Sequence, residues 1–499
     1  MRRFLLILLA VVAIVAAVAA GSIYWFLSGD GIRLALERQA TSWLGQPVTI
    51  GSATARLFPR PAIALRDVRA GDPVRMTLAD VELSSGLRPL LSRRIEDAEV
   101  IVSNSRIEMP LPFTLPAPGN ATTAPASGDA GIQIMSVRVI TLRNITIASR
   151  GRQITISADS SLSSAHLNLD RFTAASGATS LDASGLVQLT PRFDAQLKVN
   201  ANRVDVDDLL ALADAFTPQT PRRAGTTLTI PGRLVARISA ENARASGVDV
   251  QQFATTLVAE GNRITLSPAT FQLFGGRYQG ALDVDVGDTL RATVRAQISD
   301  LDVAQLAAFG GVPDTISGRL SGAGTFSGRG VTVSDAIAAS AGEGNVSITR
   351  GAIKRLGLVR TVVLYFGRPE PGASASTDNF DRIDASFALA RQVVTAPALS
   401  LHSPDLDLVA QGTLTIPNKA LDGRADLSLS EALSAQAGTD LIRFTRDGNR
   451  VLLPATISGT LSAPRVSIDA AAAVRRGLRN EVQRRLKDIL GGVLPQPPD

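Results

Sequence analysis

Cysteine is absent from the 499 residues, aromatic side chains make up only 4%, and there are just two histidines. Without cysteine there can be no disulfide, thiolate metal site or cysteine nucleophile. The absence does not fix a compartment, because proteins in oxidising spaces need not use bridges. Few aromatic rings argue against one large packed interior, where such residues usually dominate. His166 and His402 stand in separate alternating segments with no partner spacing, so both read as ordinary strand positions. No H-E-x-x-H, G-x-S-x-G or P-loop pattern occurs, and Gly322-Ala323-Gly324-Thr325-Phe326-Ser327-Gly328 misses the dinucleotide spacing. Asp205, Asp207 and Asp208 lack the glycine and distal glutamate of a calcium loop and read as helix-capping residues. A sugar-cleaving solenoid would need clustered carboxylates, which the pattern does not offer. The expectation is a non-enzyme with no catalytic, cofactor-binding or metal-binding residues. Nor is nucleic acid an expected partner, because the formal net charge of +6 is spread along the chain without a reading motif.

One long apolar run is present, Phe4 to Leu27. At 1.5 Å per residue it is long enough for a hydrocarbon core of ~30 Å, with Tyr24 and Trp25 at the level of an aromatic belt. Arg2 and Arg3 before it place the N-terminus in the cytoplasm and everything after Ser28 across the membrane. The competing reading is a cleaved signal peptide, since Ala17 and Ala19 resemble the small-residue site. Residues 1–28 are expected to be a single-pass anchor, followed over 29–46 by a short amphipathic helix in which Ile32, Leu36, Ala40 and Trp43 recur at helical spacing and Gly45 is the stop.

From residue 47 to 469 small apolar and polar residues alternate, the period of strands. At ~13 residues per strand and turn, this predicts roughly 25 to 35 strands. Residues 109–131 carry five prolines among small residues and read as a flexible loop. Three Gly-led strands, starting at Gly185, Gly280 and Gly412, are each followed by a second alternating strand, at Ala195, Ala292 and Ala425. After the first two pairs, Asp205 with Asp208 and Asp302 with Gln305 are placed to close capping boxes on short helices. Hairpins with one apolar face gain by stacking, so the repeats predict an elongated, curved antiparallel sheet. Residues 470–494 form a basic amphipathic stripe, with Arg475, Arg476, Arg479, Arg484, Arg485 and Lys487 beside Val474, Leu478, Val482 and Leu486, and 495–499 are a tail. Such a helix suits an anionic lipid surface, or serves as a cap over the last strand.

Several segments carry a resemblance to a known family. Trp43-Leu44-Gly45-Gln46-Pro47-Val48-Thr49-Ile50, Leu57-Phe58-Pro59-Arg60-Pro61, Leu273-Phe274-Gly275-Gly276-Arg277-Tyr278, Gly342-Glu343-Gly344-Asn345-Val346 and Leu453-Pro454-Ala455-Thr456-Ile457-Ser458-Gly459-Thr460 follow in order behind the apolar run. Together they resemble the AsmA family of envelope proteins, within the wider group of bridge-like lipid-transfer proteins with a chorein-like start. The resemblance implies a Gram-negative inner-membrane protein whose periplasmic body is a β-groove, open along one side like a taco, serving phospholipid traffic and outer-membrane homeostasis. Its partners would be phospholipids, the inner membrane and the outer membrane or its proteins. Leu282, Val284 and Val286 in the second repeat, with Leu414 and Ile416 in the third, are the candidate groove lining, and Asp283 and Asp285 would face the other way. From another class comes an assembly factor that holds outer-membrane proteins by strand addition at a sheet edge.

Overall fold

A computed structural model of the chain describes residues 30–56, 60–86, 94–95, 97–111, 133–134, 136–163, 165–216, 230–245, 247–354, 377–436, 446–447, 450–469, 471–472, 475 and 482. The expected anchor Phe4–Leu27 lies outside them, as do most of the 109–131 loop and nearly all of 470–494. Among the described residues, no helix is long and apolar enough to cross a membrane. They form 26 strands and five helices, within the range the alternation predicts. The helices are α1 (Asp30–Leu44), α2 (Val206–Phe216), α3 (Val303–Phe309), α4 (Val333–Ala338) and α5 (Glu431–Gln436). Two compact units divide the chain, Met1–Arg223 with Thr229–Gly261, and Ala224–Leu228 with Asn262–Asp499.

In the first unit α1 ends at Gly45, whose φ of 63° is a left-handed stop that a Cβ would disfavour. Arg33, Glu37 and Thr41 are spaced four apart, so they share one face. That face lies against strand Val48–Arg56: Glu37 Oε1 accepts from Ile50 N at 2.7 Å, Thr41 Oγ1 from Val48 N at 3.1 Å, and Arg33 donates to Ile50 O at 3.4 Å. Ala40 and Leu44 pack on Val48, Ala70 and Met76. Further on, strands Asp194–Asp205 and Ile230–Ala245 pair in parallel, as do Ala98–Ser103 and Val137–Ser149. The expectation of an antiparallel sheet is thus corrected to a mixed one. Parallel neighbours need a crossover, and α2, starting directly after Asp205, lies on that connection.

The second unit is a run of antiparallel pairings from strand Arg263–Leu273 to strand Ala463–Ile468. All three Gly-led repeats are adjacent strand pairs, with Gly185 opposite Leu197, Gly280 opposite Ala296 and Gly412 opposite Gly423. A Cβ on any of these glycines would collide with a carbonyl of the facing strand, which explains why glycine leads each copy. The capping boxes form by halves. Asp205 accepts from Asp208 N, but the Asp208 carboxylate pairs with Arg152; Asp302 accepts from Ala304 N and Gln305 N, and Gln305 reaches its side chain.

The second unit is also rolled. Lys419, at the tip of the hairpin joining Leu406–Thr415 to Ala420–Leu429, donates to Gly310 O at 2.8 Å and Gly311 O at 3.2 Å, just past α3. In a flat sheet these groups would be five strand spacings apart, about 24 Å, and roughly 30 Å apart along the strands. The contact therefore requires the sheet to turn around α3, whose Leu306 packs on Leu301, Val303 and Leu320.

Candidate functional site

Alternation splits the second unit's sheet into two unlike faces. On one, Asp283 accepts from Thr265 Oγ1 at 3.1 Å and pairs with Arg295 at 2.7 Å, while Asp285 takes Asn262. On the other, Leu266, Leu282, Val294 and Phe326 stand in one register row, and Ile264, Val284, Ala292 and Gly328 in the next. Leu282, Val284 and Val286 share this apolar face and are half-buried, with Asp283 and Asp285 opposed to them as the alternation predicts. Leu414 is half-buried in a row with Val394 and Leu421, whereas Ile416 lies beyond the end of its strand and is 47% exposed.

The apolar face has a glycine floor at its centre. Gly322, Gly324 and Gly328 alternate along strand Ile316–Gly330, and on strand Ala341–Lys354 Gly344 faces Gly324 while Gly342 faces Phe326. Phe326 lies 2.9 Å from where a Cβ on Gly324 would stand, and Phe387 lies 2.9 Å from that of Gly344. The two rings stack at 6.2 Å between centroids. Glycine lets them lie against the backbone, giving a smooth surface of ring and main chain rather than interdigitated side chains. Two helices bracket the floor. α3 covers one end through Val303 and Leu306, and the backbone of α4 occupies the space that Cβ atoms on Gly328 and Gly330 would need at the other. Between Gly322 and Gly328 the floor runs six residues, about 20 Å.

Toward the chain end the same face closes. Leu320, Ile348, Ile383, Leu401, Leu408, Leu427 and Leu453 are successive register partners across seven strands, and Leu427 and Leu453 have no exposure at all. The opposite face is polar. It carries a groove of about 600 Å3 bordered by Ser321, Asn345, Ser347, Asp384 and Ser400. Hydrogen bonding from Arg382 above all, with Ser347 assisting against burial, holds the Asp384 carboxyl below the usual range.

His402, expected to be a partnerless strand residue, meets Asp407 across the hairpin, and Arg450 reaches the second carboxylate oxygen at 2.6 Å. Burial pushes the Asp407 carboxyl up, but hydrogen bonds from His402 and Arg450 outweigh it and leave it lowered. Arg450 also donates to Leu429 O at 2.6 Å and Ser428 O at 3.0 Å, so the cluster ties four strands together. Of the expected surface cations only Arg475 is described, and it is exposed; Arg476, Arg479, Arg484, Arg485 and Lys487 lie outside the described residues.

A family model described as AsmA family matches residues 139–399, just over half of the chain. No curated protein and no solved structure matches it.

Proposed function

The chain belongs to the AsmA family, and from that premise we propose that its apolar sheet face is a trough that binds or conducts phospholipids for outer-membrane homeostasis. The carrying observation is the half-open apolar face, where Phe326 and Phe387 lie against glycine and Leu282 and Val284 stay only half-buried. An acyl chain in water exposes a dozen or more methylenes at about 0.8 kcal/mol each, so two chains cost on the order of 20 kcal/mol. A continuous lining of small aliphatics removes that cost without deep wells that would stop movement. In this reading residues 1–28 anchor a β-sheet body in the inner membrane with its bulk in the periplasm, and the protein is not an enzyme.

Val284→Arg tests the reading. A charge on an apolar path costs several kcal/mol, so the variant should keep its strand circular dichroism yet co-purify without the phospholipid that mass spectrometry finds in the wild type. Lipid-free wild-type protein would overturn the trough. A second reading, strand addition to nascent outer-membrane proteins, is favoured by one observation: strand Ala463–Ile468 is paired only with Arg450–Thr460 among the described residues. It predicts that Val466→Pro abolishes client capture and leaves lipid content unchanged.

A further inference from the structure

We propose that Tyr278 selects ester-linked lipid, its phenol donating a hydrogen bond to an acyl ester carbonyl that lies on the trough floor. The proposal rests on the trough reading and names the one group of the ligand that the floor recognises. Four register rows of the apolar face cross from strand Arg263–Leu273 toward strand Thr377–Ala390, beginning at Phe271, Ala269, Leu266 and Ile264. Every residue in them is glycine, alanine, a larger aliphatic or phenylalanine, except Tyr278. In the second row three glycines each lie under a ring: Tyr278 over Gly280, Phe326 over Gly324 and Phe387 over Gly344. The strip from Gly280 to Phe387 crosses four strand spacings, about 19 Å.

Packing does not account for the hydroxyl. Phe326 and Phe387 fill the equivalent places without one, and Tyr278 stacks on Phe271 at 4.3 Å between centroids and 11° between planes, as a phenylalanine could. The hydroxyl reaches the place that a Cβ on Gly280 would take, so it lies within the strip. It has no hydrogen-bond partner among the described residues. Burial pushes the phenol pKa up, so the group stays protonated and remains a donor at neutral pH. A donor on an apolar surface is unfavourable until an acceptor meets it. The rows contain no lysine or arginine, so they suit a neutral acceptor and not a phosphate. In a diacyl lipid the neutral acceptor is the ester carbonyl, the polar group bonded directly to each hydrocarbon tail. With that carbonyl at Tyr278, the tail lies along Ala296 and the rings of Phe326 and Phe387.

To test this, the full chain in detergent micelles is offered equal, saturating amounts of a diester phosphatidylethanolamine and its diether analogue with the same chains and headgroup. Bound lipid is then counted by mass spectrometry. Wild-type protein is expected to retain the diester about fivefold over the diether, the effect of one neutral hydrogen bond. Tyr278→Phe keeps the ring stack, so it should match the wild type in strand circular dichroism and in total lipid bound, with the preference reduced to about one. A wild type without preference, or a preference that survives Tyr278→Phe, overturns the ester contact and keeps the trough. Uptake of neither lipid overturns both.

Discussion

Two regions of one sheet face in the second unit behave differently. In the rows running through Leu401, Leu408, Leu427 and Leu453, the side chains are almost wholly withdrawn from water, while the rows through Leu282, Val284, Phe326 and Gly344 stay half-open. Strand pairing and alternation are the same in both. The difference is side-chain volume: leucines in register, brought together by the rolled sheet, fill their own space, and glycine with alanine cannot. One region is a core in the ordinary sense, and the other is surface that is apolar without being filled.

The comparison breaks most readily at Leu427. Leu427→Ala should cost about 2–5 kcal/mol in urea unfolding, because it leaves a cavity among fully buried neighbours. Leu282→Ala should cost about 1 kcal/mol, since half the side chain already meets solvent. Equal losses would mean that the second region is as sealed as the first.

A smaller effect lies at the clamp beside the leucine rows. The Asp407 carboxyl is lowered in the folded state, so its stabilisation is complete above the ordinary carboxylate value of about 3.9 and is lost as pH falls through the lowered one. Asp407 and Arg450 are about a third exposed and His402 about two-thirds, so solvent screening leaves about 1 kcal/mol at neutral pH. Asp407→Asn should lose that amount and flatten the acid limb of a urea midpoint against pH curve. An unchanged acid limb would show that the clamp holds nothing. The smallest effect is expected for Lys419→Ala, under about 1 kcal/mol globally. Faster amide hydrogen exchange confined to the 415–420 tip and the end of α3 would sharpen the contrast, because it places the roll rather than the leucine core under the lysine's control.

Much of this was legible in sequence. Alternation located the strands, the Gly-led repeats marked true neighbours, and Asp205 and Asp302 marked helix starts. Leu282, Val284 and Val286 could be assigned to one face because a period of two leaves no other choice. What escaped were long-range facts. Parallel pairing across α2 depends on a crossover that alternation does not encode. α5 after the third repeat begins beyond Ser430, where no aspartate flags a cap. His402 finds Asp407 five residues away only because a tight hairpin folds them together, and Arg450 arrives from another strand. The glycine floor did leave a signal, the every-other-residue glycines at 322, 324, 328 and 330, which is what a strand shows when something must lie against its main chain.

The side chains that α1 lays along the first strand have a consequence for self-association. Arg33, Glu37 and Thr41 occupy main-chain groups through which another molecule would continue the ladder from that side. Fibre growth by hydrogen bonding onto that strand is thus obstructed by the chain's own helix, at whatever concentration the protein accumulates.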